Sequence, residues 1–144
     1  MYLILRILRP KKQEVTTTEE QDNIQDIISE GVEGDSHSIV ERATAIIEKH
    51  LDDPDFNINV FAHEMAMSRT NLFTKLKAAT GQTPNNMIIT IRLKKAAYML
   101  KNNPDLSIVE IADRTGFNSV KYFSKCFNDV YHIRPAAYRN SQEN

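Results

Sequence analysis

From Ser38 onward, apolar positions recur at steps of three and four. Ile39, Ala43, Ile46, Ile47 and Leu51, with His50 among them, share one face, the spacing of an amphipathic helix. The segment "DDPDFN" interrupts it, because Pro54 disfavours helical geometry at Asp53. Asn57 can cap a short helix from Ile58 to about Ala66, and Ser68 a second to about Ala79, stopped by Gly81. Thr83–Pro84 opens a long helix to about Lys101, with proline at the first helical position, where its missing N–H costs nothing. "NNPDL" ends that helix. Ser107 then caps Ile108–Thr115, a helix from Ser119 to about Tyr131 follows, and a short one starts at Pro135. No stretch sustains the period of two that a strand needs. The predicted fold is all-α, a bipartite domain of about seven helices.

The letters "SIVE" occur at Ser38–Glu41 and again at Ser107–Glu110. Serine followed three residues later by glutamate is a capping box, so both copies predict helix starts. The repeat itself begins elsewhere, at Asn57. Ile58 aligns with Ile108, Phe61 with Ile111, Ala62 with Ala112 and Ala66 with Gly116. One residue is added in the second turn, after which Ser68 aligns with Ser119, Leu72 with Phe123, Leu76 with Phe127, Gly81 with His132 and Pro84 with Pro135. The repeated unit is a short helix, a tight turn and a longer helix, the outline of a helix-turn-helix. Ala62 and Ala112 are small enough to let the second helix cross closely, and Gly116 allows a backbone conformation that larger residues resist. The helix between the units is apolar over a broad arc (Ile88, Ile91, Leu93, Ala96, Ala97 and Leu100), as expected of a connector contacted from two sides.

Charge changes the picture. The net charge of −1 conceals two opposite regions. Residues 1–37 carry four cations against eight acids, whereas residues 58–139 carry twelve Lys and Arg against five acids. A basic helical core suits a polyanionic partner. At 3.6 residues per turn, Leu72 and Leu76 mark the core face of the helix after Ser68. Thr70, Thr74 and Lys77 then lie opposite, flanked by Asn71 and Phe73. In the second unit Phe123 and Phe127 are core; Lys121, Lys125 and Asn128 lie opposite, flanked by Tyr122 and Ser124. Lysine donates to guanine acceptors, threonine to several base edges, and apolar atoms touch the thymine methyl, so these faces suit a major groove. The first turns, with Ser68, Arg69, Ser119 and Val120, come nearest the backbone or bases. Arg92, Lys94 and Lys95 read as phosphate contacts or as a solvated face.

Other chemistry is thinly represented. A single cysteine, Cys126, excludes an internal disulfide framework and a cysteine-rich zinc site, and favours a reducing cytoplasm. Cys126 reads as a small buried residue, its rival being a redox-sensing or methyl-accepting thiol. His37, His50, His63 and His132 lack metal-ligand spacing, so no metal or cofactor is expected, and no catalytic residues stand out. The apolar start "MYLILRIL" is too short for a bilayer and lacks a signal-peptide cleavage site; it reads as the remnant of a preceding domain at the start of a fragment. Residues 1–37 are expected to form an acidic, flexible leader, with a weak helix around Asp22–Ser29.

The segments "FAHEMAMSRTNLFTKLKAATGQTP", "IRLKKAAYMLKNN" and "SIVEIADRTGFNSVKYFSKCFNDVYHIRPAAYR" resemble an AraC/XylS-type DNA-binding domain over about residues 38–140. The resemblance implies two helix-turn-helix units, at about 58–79 and 108–131, joined by a linker helix at about 84–101 and acting on transcription. The family's base-contacting positions fall on Thr70, Phe73 and Thr74, and on Lys121, Ser124 and Lys125. Ser68, Arg69, Asn71, Lys77, Ser119, Val120 and Asn128 flank them. The stretch from Asp52 to Pro84 is similar to the output domains of hybrid two-component regulators in Bacteroidetes. The implied partners are double-stranded DNA, RNA polymerase and a receiver or sensor domain, with no membrane. One departure is His132, where the family usually has glycine, so the turn before Pro135 is expected to differ. A competing reading is a helical protein-interaction module that has kept the fold and lost DNA binding.

Overall fold

The computed structural model describes residues 36–141, and among them there are helices and no strands. α1 spans 36–49. It is followed by α2 (Ile58–Glu64), α3 (Arg69–Thr80), α4 (Pro84–Asn102), α5 (Ile108–Arg114), α6 (Val120–Tyr131) and α7 (Pro135–Asn140). The expectations for the leader and for Asp22–Ser29 lie outside the described residues.

Side-chain caps start five of these helices where the sequence places them. Asn57, Ser68, Thr83, Ser107 and Ser119 each accept a hydrogen bond from a first-turn amide. Ser107 and Glu110 close a full capping box, satisfying two otherwise orphan donors. The other "SIVE" behaves differently. Ser38 lies inside α1, not at its cap. Once a helix is nucleated each added residue gains a backbone bond, and Glu41 turns to His37, 3.1 Å away across one turn, rather than to the Ser38 amide.

Two hydrophobic clusters share one helix. The first joins Ile39, Ala43 and Ile47 of α1 to Phe56, Phe61, Ala62, Met65, Leu72 and Leu76, and to Met87 and Ile88 at the start of α4. The second takes Leu93, Ala96, Ala97 and Leu100 from the rest of α4 and packs them against Ile111, Ala112, Phe117, Phe123, Cys126 and Phe127. The broad apolar arc of α4 is thus explained: its two ends serve different cores. α1 is held to α2 by polar contacts as well. Arg42 donates to the Met65 carbonyl at 2.9 Å, and His50 stacks on Phe56 at 4.5 Å while donating to Glu64 at 2.6 Å. That hydrogen bond is the main reason the Glu64 carboxyl titrates below its ordinary value.

The repeat is visible in the backbone. In each unit the turn passes through one left-handed residue, Ala66 (φ 59°) and Gly116 (φ 82°). The next amide then bonds back to the mid-helix alanine, Met67 to Ala62 and Phe117 to Ala112, at 3.0 Å in both. The long helices also end alike. Gly81 and His132 are left-handed C-caps whose amides bond Lys77 and Asn128 carbonyls at 2.8 Å. The cap at His132 therefore keeps the left-handed form of its glycine counterpart, whereas the next helix start differs, Arg134 making no side-chain cap where Thr83 makes one. Tertiary packing beyond it, with Pro135 buried, fixes the chain path, and His132 carries the strain. His132→Gly is expected to stabilise the domain by about 1 kcal/mol, the left-handed penalty less the added freedom of glycine in the unfolded chain. Urea denaturation checks this; no gain would mean that a histidine contact offsets the strain.

Candidate nucleic-acid interface

Burial divides α3 and α6 in the way their spacing demands. Leu72, Leu76, Phe123 and Phe127 are fully buried. Facing away from them, Arg69, Thr70, Asn71, Phe73, Thr74 and Lys77 are exposed on α3, and Val120, Lys121, Lys125 and Asn128 on α6. Ser124 is the one predicted position that is half-buried, because it sits beside the core stripe. Ser68 and Ser119 are exposed, and their hydroxyl oxygens are occupied by the caps, accepting from Asn71 and Tyr122 amides at 3.0 and 3.1 Å. These serines fix where each helix begins and so where its first turn points.

The two faces differ in charge. α3 carries Arg69, Lys75 and Lys77 and no acid, whereas α6 carries Asp129. Lys125 Nζ lies 2.9 Å from Asp129 one turn further on, and that hydrogen bond holds the ammonium above its ordinary pKa. Both groups are exposed, so the pair contributes little and Lys125 can turn to another anion at small cost. Asp129 stands four residues from Lys125, a spacing legible in the sequence as a helical ion pair. Two aromatic rings also stand out on these helices, Phe73 at 48% and Tyr122 at 47% exposure. Exposed rings beside lysines and threonines suit a surface that meets bases. The Tyr122 phenol is pushed up chiefly by its hydrogen bond with Cys126, whose thiol is itself buried in the second core.

Beside α3 runs an open groove of about 850 Å³. Its walls are Phe56–Ile58 before and at the start of α2, Arg69, Thr70 and Phe73 of α3, and Thr83–Asn85 at the start of α4. The exposed side of α3 is therefore continuous with two helix N-termini, a connection that no local pattern in the sequence carries.

Arg92 corrects an expectation. Lys94 and Lys95 are exposed, Lys95 resting 5.3 Å over the Tyr98 ring, but Arg92 is only 7% exposed. It is neither a phosphate contact nor part of a solvated face. Its two terminal nitrogens donate to the Gly116 and Asp53 carbonyls at 2.9 and 2.7 Å. Burial lowers its pKa, with the nearby Asp53 charge opposing. A planar guanidinium can serve two separated carbonyls at once, which explains why this charge is tolerated inside.

Comparison with known proteins agrees with this architecture. A family model described as a helix-turn-helix domain matches residues 61–141. Histidine kinase P4 of Formosa agariphila is 41% identical over 102 residues, 71% of this chain, and the chain spans 7% of that kinase's length. The C-terminal domain of AraT, a response regulator from Geobacillus stearothermophilus, superposes with a TM-score of 0.67 at 31% identity, covering 74% of this chain and 87% of that domain. The DNA-binding domain of the global transcriptional factor AdpA, solved with a target DNA, gives 0.62 at 30% identity over 72% of this chain and 88% of its own. No helix among the described residues is long and apolar enough to cross a membrane. With two capped units of the same backbone, one shared helix and a matching family model, the chain belongs to the AraC/XylS-type helix-turn-helix DNA-binding domains.

Proposed function

We propose that this chain is the DNA-reading output module of a cytoplasmic transcriptional regulator, and that it reads two successive major grooves. Thr70, Phe73 and Thr74 address base edges in one groove; Lys121, Ser124 and Lys125 do so in the other. Ser68, Arg69, Asn71, Lys77, Ser119, Val120 and Asn128 position each helix against the backbone. The observation that carries this reading is the duplicated protruding helix, capped by serine and bearing an exposed polar face, in both units. The connector supports it: 19 residues at 1.5 Å each give α4 about 28 Å, close to the roughly 34 Å between adjacent grooves on one face of the duplex. The kinase and response-regulator relatives support an upstream receiver or sensor as input; RNA polymerase is the downstream partner that a transcriptional role requires. The reading is one of binding, with no catalytic step.

Selection of bound DNA from a random pool tests it, followed by a salt titration on the selected site. The expected product is a bipartite motif with half-sites about one turn apart and an affinity that falls steeply with salt. Recovery of no motif, with a salt-insensitive protein complex instead, would favour an interaction module. Within the selected motif, Thr74→Ala should relax base preference at one position in the first half-site, and Lys125→Ala at one in the second. Each should cost about 1–3 kcal/mol on the preferred base. Uniform weakening across all sequences would reassign that residue to phosphate.

A further inference from the structure

We infer that Arg92 is a positioning residue that sets the spacing and angle between the two recognition helices. Among the described helices only α4 gives buried residues to both hydrophobic clusters, and these divide between Ile88 and Leu93. Arg92 projects from that point of division. One nitrogen holds the Asp53 carbonyl of the loop leading to α2, the other the Gly116 carbonyl in the turn leading to α6. The Asp53 carbonyl also accepts from the Phe56 amide, and Phe56 is buried in the first core. Gly116 lies three residues before Ser119, the cap that starts α6. One rigid fork therefore ties the foundation of the first unit to the entry of the second.

The junction has no slack. A Cβ on Gly116 would lie 2.5 Å from the Leu51 carbonyl oxygen and 2.7 Å from the Arg92 guanidinium carbon. The second unit's turn thus butts directly on the loop after α1. Arg92 Nε is buried without a partner, so the side chain keeps this pose despite an unmet donor, as expected when the two carbonyl bonds dictate it. Lysine, with a point charge on a flexible stem, cannot reproduce a planar grip on two carbonyls. The geometry stands independently of DNA. Its consequence rests on the two-groove reading: a fixed separation raises the effective concentration of the second helix at one half-site spacing and lowers it at others.

The test uses Arg92→Lys and Arg92→Met, with spin labels on Lys75→Cys and Val130→Cys in a Cys126→Ser background. Double electron–electron resonance should give one narrow distance with Arg92 and a broadened one in both variants, at unchanged helicity. On the selected DNA, affinity for the full site should fall tenfold or more while each isolated half-site changes less than twofold. The penalty for inserting one or two base pairs between half-sites should shrink. An unchanged distance distribution would overturn the inference. So would equal losses on full and half-sites, which mark a merely structural residue. Should Arg92→Met not fold, Arg92→Lys, which keeps the charge and stem, decides. If the parent protein binds no DNA, the two-groove reading fails, and the distance measurement still settles the role of Arg92.

Discussion

Phe127→Ala is expected to destabilise the domain by about 4 kcal/mol. Phe127 is fully buried, and its ring lies 5.8 Å from Phe123, 4.5 Å from Tyr131 in a stacked pair, and 5.4 Å edge-on to Tyr138. Truncation removes the transfer free energy of the ring and leaves a cavity whose walls are other rings, which cannot easily collapse into it. Each lost aromatic pair adds roughly 0.5–1.5 kcal/mol beyond area. The effect reaches α7, which is held through Tyr138 and through Arg139 donating to the Leu100 and Asn103 carbonyls. Against a typical domain stability of about 5–15 kcal/mol this is a large fraction. Urea denaturation measures it, with Phe73→Ala as the control. Phe73 is exposed, so its truncation should stay within about 0.5 kcal/mol. A loss below about 2 kcal/mol at Phe127 would mean the cluster repacks.

Gly116→Ala is expected to cost about 3 kcal/mol, and Gly81→Ala only about 1 kcal/mol. The two glycines have nearly the same backbone, φ 82° and 77°, so both variants incur the left-handed penalty of about 1–2 kcal/mol. A Cβ at Gly81 meets nothing within 4 Å. At Gly116 it meets the Leu51 carbonyl, a backbone atom that can yield only if the loop moves, so an overpacking cost of about 1–3 kcal/mol is added. The difference between the variants, read from denaturation midpoints under one set of conditions, isolates the packing at the junction. Equal costs would show that the loop after α1 gives way.

Local rules account for most of what the sequence disclosed. Asn57, Ser68, Thr83, Ser107 and Ser119 act as caps because their side chains reach amides two or three residues on, a range the sequence itself displays. The exposed faces of α3 and α6 follow from Leu72, Leu76, Phe123 and Phe127 in the same way. Arg92 was illegible for the opposite reason. Arginine is rarely buried, and what draws it inward is a pair of carbonyls 24 and 39 residues away. His132 keeps the left-handed cap a glycine would, because the path it must follow is tertiary, and the difference from the first unit lies one step on, at the uncapped Arg134. Ser38 has a capping motif, yet the helix extends past it. The groove beside α3 needs three segments brought together, and only the folded chain supplies that.

Because α4 belongs to both cores, its length is a gauge. One residue inserted between Ile88 and Leu93 would swing everything after it by about 100° around the helix axis and advance it by about 1.5 Å. Arg92 would then miss the loop it grips, and the second unit would be turned relative to the first. The loop that holds Leu51 and Asp53 is pinned at the same junction, so the nineteen residues of α4 cannot change in number without changing how the two units sit.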